Sequence, residues 1–202
     1  MQDFFVKRGG NENTPKNHFK LSNVMKSQLD VINNAKKRNT PIIFIEYDHT
    51  SINIGETNST LKNAVRDYDK VRFFKKNTDG MFDDGNKHRD QLVDYLRSNK
   101  IGNLIISGAN GGACVYSSIQ GALEENCKVI AYNNGIADFN FKDFQYPFAG
   151  YYTSFGKNCK NCSIKEIMEI DDILHYFTGN MTNSYDQTPD PLMDVDQNLG
   201  GK

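Results

Sequence analysis

Apolar positions along this chain alternate between two rhythms. Leu21, Val24, Met25, Ile32 and Ala35 recur at the spacing of an amphipathic helix, and the compact run Ile42-Ile-Phe-Ile-Glu46 follows as a strand. The exchange then repeats. Leu61 to Val65 predicts a short helix, and Lys70-Val-Arg-Phe-Phe74 an extended segment. Leu92, Val93 and Leu96 line a helix ending near Lys100-Ile-Gly102, and the run from Leu104 to Ser107 reads as a buried strand. Val115, Ile119, Ala122 and Leu123 form the next helical stripe, with Lys128-Val-Ile-Ala-Tyr132 as a further strand. Ile167 to Ile170 is short and fits either state, and Asp171 is placed to cap a last helix through Phe177. Strands alternating with helices predict the α/β class, a three-layer, mostly parallel sheet flanked by helices. In such sheets the ligand site lies beyond the carboxyl ends of the strands.

Composition narrows the setting. A chain of 202 residues suits one domain, placed at residues 1–178. From Thr178 the composition turns polar, with Pro189, Pro191 and a terminal Gly-Gly-Lys, so residues 179–202 are expected to be a disordered tail. The formal net charge of −1, with both signs mixed along the chain, leaves no electrostatic footprint for nucleic acid or an anionic membrane. No apolar run reaches the length of a membrane span. The opening Met1-Gln-Asp-Phe-Phe is not a basic region followed by an apolar stretch, so no secretory signal is visible. Four dispersed cysteines fit reduced thiols, and a cytoplasmic location is expected. A small molecule is the expected partner, with no cofactor and no metal.

Chemistry concentrates in two segments. In Ser107-Gly-Ala-Asn-Gly-Gly-Ala-Cys114-Val a glycine-rich bend leaves a strand and delivers a cysteine to the start of a helix. Partial positive charge and unpaired N–H groups there favour a thiolate and can hold an oxyanion. The bend fits neither GxGxxG nor GxxxxGK[ST], which argues against a phosphate cradle. On this segment alone Cys114 reads equally as a nucleophile or as a small packing residue. The second segment is Phe73-Phe-Lys-Lys-Asn-Thr-Asp-Gly-Met-Phe82. Lysines at a strand's carboxyl end reach the same cleft, and ammonium charge favours thiolate. Lys75 and Lys76 are adjacent, so an extended backbone sends only one of them there.

Taken together, these segments resemble the isochorismatase-like cysteine hydrolases, which include nicotinamidases and carbamoyl-amide hydrolases. Gly108 through Cys114-Val115 matches the family's elbow in spacing, and Lys76 followed six residues later by Phe82 matches its lysine segment and selects Lys76. Met1-Gln-Asp-Phe-Phe-Val matches the stretch after the family's aspartate, and Ala137-Asp138 matches a later pair. The resemblance runs from residue 1 to about Phe177 and supports the nucleophile reading of Cys114. It implies attack by Cys114 on an amide or ureido carbonyl to give a thioester, with Lys76 holding thiol and substrate. It implies an oxyanion hole from the N–H groups of Asn110 and Cys114, reached through a cis Ala109–Asn110 bond, and a self-associating protein. Tyr47, Asp79 and Phe82 are expected around the cleft mouth as substrate-binding residues.

One departure stands out. The family's proton-accepting aspartate directly precedes the residues matched by Met1-Gln2, at the end of a first strand outside this sequence. Restoring it requires an in-frame apolar strand ending in Asp upstream of Met1, and Asp3 is the only weak substitute within the sequence. A non-catalytic binding protein that keeps the cleft is the alternative. Asp48-His49 resembles part of a nicotinamidase metal site but lacks a nearby second histidine, and Cys159-Lys-Asn-Cys162 has no partner pair. His18, His88 and His175 have no catalytic company.

Overall fold

A computed structural model describes residues 1–6, 15–48, 54–138, 164–167 and 170–172. Helix α1 (Pro15–Lys37) turns its apolar stripe of Leu21, Val24, Ile32 and Ala35 inward and ends on Lys36 and Lys37, which complement the helix dipole. Strand β1 (Ile42–Tyr47) follows, then α2 (Ser59–Ala64), whose start is capped by the Asn58 side chain accepting from the Thr60 N–H. Strand β2 (Val71–Lys76), α3 (Arg89–Ser98) and β3 (Asn103–Ala109) come next. A π-helical turn (Gly111–Val115) leads into α4 (Tyr116–Glu124), and β4 (Lys128–Ala137) and β5 (Ile164–Ile167) complete the described strands.

Every described ladder is parallel, and helices flank the strands, as the alternating sequence predicts. The strands form two sheets where the sequence suggests one. β1 pairs with β2, and β3-β4-β5 form a second sheet, with no hydrogen-bonded ladder between β1 and β3. The two sheets nevertheless share their faces. Ile43 and Ile45 pack in one cluster with Leu104, Ile106, Val129 and Ala131, on the side of α3 and α4. Ile42 and Phe44 pack in the other with Ile105, Ile130 and Tyr132, on the side of α1 and α2.

β3 departs from expectation as well. Its apolar run from Leu104 to Ser107 is only half-buried, as is the whole strand. One edge is paired with β4, and the other borders a cavity of about 800 Å³ whose opposite wall includes Ile42–Ile45 of β1. β4 runs on past Tyr132 through a bulge. Ile106 faces Ala131, yet Gly108, two residues on, faces Ile136, so β4 carries three extra residues there. Asp171 lies inside a helical stretch at residues 170–172 and does not precede it as a cap. The tail 179–202, His49 and the Cys159–Cys162 pair lie outside the described residues.

Candidate active site

The site forms where β1, β2 and β3 end. β2 runs two residues further than predicted, so Lys75 and Lys76 are its last members and alternation separates them. Lys75 faces solvent and pairs with Asp48 at 3.7 Å. Lys76 is 5% exposed, and its register partner across the ladder is Tyr47. The Lys76 ammonium lies 5.5 Å from the centre of the Tyr47 ring and donates to the Asp79 carbonyl, which folds the chain back over the strand end. Thr78 Oγ1 donating to the Gly80 carbonyl at 2.8 Å, and the Gly80 N–H donating to Asp83 Oδ2 at 2.8 Å, hold the turn.

The turn continues into Met81 and Phe82, which α4 clamps. The Met81 N–H donates to Ser118 Oγ at 3.2 Å. A methyl group on Gly121 would come within 2.5 Å of Phe82 Cβ, so only glycine permits this approach. Phe82 is 7% exposed and belongs to the core cluster, deeper than the cleft mouth where the sequence suggests it.

β3 supplies the nucleophile candidate. Gly108 at φ +149° begins the bend, and the Ala109–Asn110 peptide bond is cis. The Asn110 carbonyl accepts from the Val115 N–H at 2.9 Å, closing the π-helical turn that holds Cys114. The Gly112 N–H donates to the carboxylate of buried Asp138, which anchors the turn to the end of β4. Cys114 is partly exposed, and its thiol donates to Asp79 Oδ1 at 3.8 Å. Burial raises the pKa of the Tyr47 phenol, with Asp79 and then Cys114 adding to the rise, so negative charge on this pair is felt at Tyr47.

Asp3 is held elsewhere. Its Oδ1 accepts from Asn58 Nδ2 at 2.9 Å, and its N–H donates to the Glu56 carbonyl at 3.0 Å. Gln2, which sequence reasoning passed over, ties the amino-terminal stretch to the site. Its side chain accepts from the Tyr47 N–H at 2.8 Å and donates to the carbonyls of Tyr47 and Gly55 at 3.2 and 2.6 Å. Lys76, Asp79, Tyr47 and Cys114 are therefore brought together, Asn110 forms the bend beside them, and Asp3 stands apart. Among the described residues no group of three or more His, Cys, Asp and Glu could hold a metal ion. No described helix is long and apolar enough to cross a membrane.

Parallel strands with helices on their faces define an α/β fold, and its strand ends carry a cysteine on a strand-to-helix bend and a buried lysine that both contact Asp79. The family model of the Isochorismatase domain matches residues 1–157, and the chain belongs to that family. Among solved structures it is similar to the nicotinamidase SaPncA from Staphylococcus aureus, with 20% identity over 71% of this chain and 84% of that one and a TM-score of 0.55. It is likewise similar to N-carbamoylsarcosine amidase from Thermoplasma acidophilum, at 18% identity, 75% and 87% coverage and a TM-score of 0.55. The YcaC gene product from Escherichia coli, described as an octameric hydrolase of unknown specificity, gives 16% identity, 72% and 64% coverage and a TM-score of 0.55. At these identities the likeness is one of fold. No curated protein is matched by the sequence.

Proposed function

We propose that this chain is a cysteine-dependent hydrolase of small amide or ureido substrates, and that Asp79 takes the proton from Cys114. The observation that carries this reading is the 3.8 Å hydrogen bond from the Cys114 thiol to Asp79 Oδ1. A nucleophile joined to a base, with that base oriented by a third group, is the arrangement covalent catalysis needs. Lys76 is the third group, since its ammonium holds the Asp79 backbone.

In this mechanism the thiol proton passes to Asp79 as sulfur attacks the carbonyl carbon. The N–H groups of Asn110 and Cys114 face the oxyanion. Collapse breaks the C–N bond, and the leaving nitrogen recovers the proton from Asp79, giving ammonia or an amine and a Cys114 thioester. Water then attacks the thioester while Asp79 takes its proton, and return of that proton to sulfur frees the acid. Tyr47, beside Lys76, and Phe82 beneath the turn shape the space for the acyl group.

The same reading assigns the hydrolase domain to residues 1–178 and residues 179–202 to a tail. It holds the protein to be a cytoplasmic homo-oligomer that needs no cofactor, with the octameric Escherichia coli relative as support for self-association. The test is intact-protein mass spectrometry after incubation with nicotinamide and a panel of amides and ureides. A mass increase that maps to Cys114 and is released by hydroxylamine supports the thioester. A panel that binds without any adduct or turnover replaces the enzyme with a binding protein.

A further inference from the structure

Between β2 and α3 the chain runs through turns and bends alone, at residues 77–88, and this stretch carries Asp79. A loop without a ladder or a helical turn has to find partners for its backbone groups elsewhere. Asn86 supplies several of them. It is 4% exposed, a setting in which an amide is unfavourable unless its hydrogen bonds are met. All four positions of that amide are used, and all of them within the loop. Asn86 Oδ1 accepts from the Asn77 N–H at 3.4 Å and from the His88 N–H at 3.2 Å. Nδ2 donates to the Met81 carbonyl at 2.7 Å and to Met81 Sδ at 3.4 Å. The Asn77 side chain closes the same ring, with its Oδ1 accepting from the Lys87 N–H at 3.1 Å.

These contacts are spaced evenly about Asp79. One amide grips the chain ahead of it, at Asn77, and again beyond it, at Met81. Only Thr78 and Gly80 lie between, and both are tied, Thr78 to the Gly80 carbonyl and Gly80 to Asp83. The Asp83 carbonyl in turn accepts from the Asn86 N–H at 2.9 Å. The braced loop is docked on α4, the helix that follows Cys114. Met81 reaches Ser118 there, and Arg89, which donates to the Phe82 carbonyl at 2.8 Å, pairs with Glu125 at the helix end. We propose that Asn86 is a positioning residue for the reaction, setting the separation of Asp79 and Cys114 by clasping the loop on both sides of the carboxylate. The inference rests on the reading of Asp79 as the base. Size alone cannot replace the amide, because a carboxylate has no donor for the Met81 carbonyl and an aliphatic chain bonds to none of the four partners.

The test is a double-mutant cycle between Asn86→Ser and Asp79→Asn. It is read by iodoacetamide labelling of Cys114 near neutral pH and by hydrolysis of whichever amide first acylates Cys114. Serine is too short to reach Met81, so the carboxylate moves off the sulfur. Labelling should quicken, by no more than the roughly fivefold expected of Asp79→Asn. The kcat should fall about tenfold or more while KM stays within about twofold. In the Asp79→Asn background the same change should leave labelling and kcat where they are. A residue that only stabilises the fold would lower Tm and leave both quantities unaltered, and that result overturns the proposal. Additive effects in the cycle also overturn it, and the base reading then stands if Asp79→Asn itself lowers turnover. Asp79→Asn with unaltered turnover removes the base and this inference with it. If Asn86→Ser does not fold, Asn86→Asp takes its place, since it keeps both acceptances and loses only the donations to Met81. Its added charge acts on Cys114 in both backgrounds and cancels in the coupling.

Discussion

Replacing Asp79 by asparagine should make Cys114 more reactive toward an alkylating agent and less effective in catalysis. A carboxylate 3.8 Å from sulfur opposes a thiolate there. Coulomb's law puts that repulsion at about 1 kcal/mol in a water-like dielectric and about 4 kcal/mol at an effective dielectric of 20. Cys114 is partly exposed, which favours the lower figure. Removing about 1 kcal/mol of repulsion at the attacking sulfur should quicken iodoacetamide labelling about fivefold. Buried Cys127, 2% exposed, is the internal reference and should be labelled after Cys114 in both proteins. Turnover should move oppositely, falling by about 10²–10⁴, the usual contribution of a positioned acid–base group. The assay is intact-mass labelling at pH 7 beside hydrolysis of whichever amide first acylates Cys114. Asp3→Asn is the control and should change neither quantity, because Asp3 is engaged with Asn58. If labelling and turnover fall together in Asp79→Asn, the carboxylate only braces the turn. If Asp3→Asn is the variant that loses turnover, the base is misassigned.

Three further outcomes are expected. Lys76→Met keeps the buried stem but removes the donor to the Asp79 carbonyl, so iodoacetamide labelling of Cys114 should slow and turnover should drop; an unchanged labelling rate refutes the role. Gly121→Ala places a methyl 2.5 Å from Phe82 Cβ and should cost about 1–3 kcal/mol in urea unfolding, with unaltered stability as the contrary result. Desolvation lowers the pKa of the Met1 α-ammonium from 8.0 to about 6, against the pull of Glu46 and Asp3. The unfolded chain then binds more protons between those values, so stability should rise with pH across that window by up to about 2–3 kcal/mol, and acetylating the amino group should flatten the slope.

Much of this arrangement was legible in the chain because it is local. The glycine-rich bend and Cys114 follow a strand within a few residues, and alternation along β2 is enough to separate Lys75 from Lys76. What stayed hidden depends on distant parts. Asp79 and Cys114 are 35 residues apart, and only the folding back of the turn onto α4 brings carboxylate to thiol. The half-burial of β3 cannot be read from Leu104-Ile-Ile106, because it depends on what lies at the strand's other edge. Asn133-Asn134-Gly135 breaks the apolar run after Tyr132 and hides the rest of β4, whose ladder resumes at Ile136.

That interruption in β4 carries an arithmetic of its own. Three extra residues are an odd number, so odd and even positions exchange sides across the bulge. Val129 and Ala131 share a cluster with Ile136, while Ala137 turns to the opposite side and packs with Leu21 and Val24. Asp138 is thereby returned to the side of the π-helical turn, where it receives the Gly112 N–H. Length changes in this stretch should therefore be tolerated only in pairs. Removing two residues conserves the parity and keeps Asp138 on the side of the turn, whereas removing one would turn its carboxylate to the opposite side, away from the Gly112 amide.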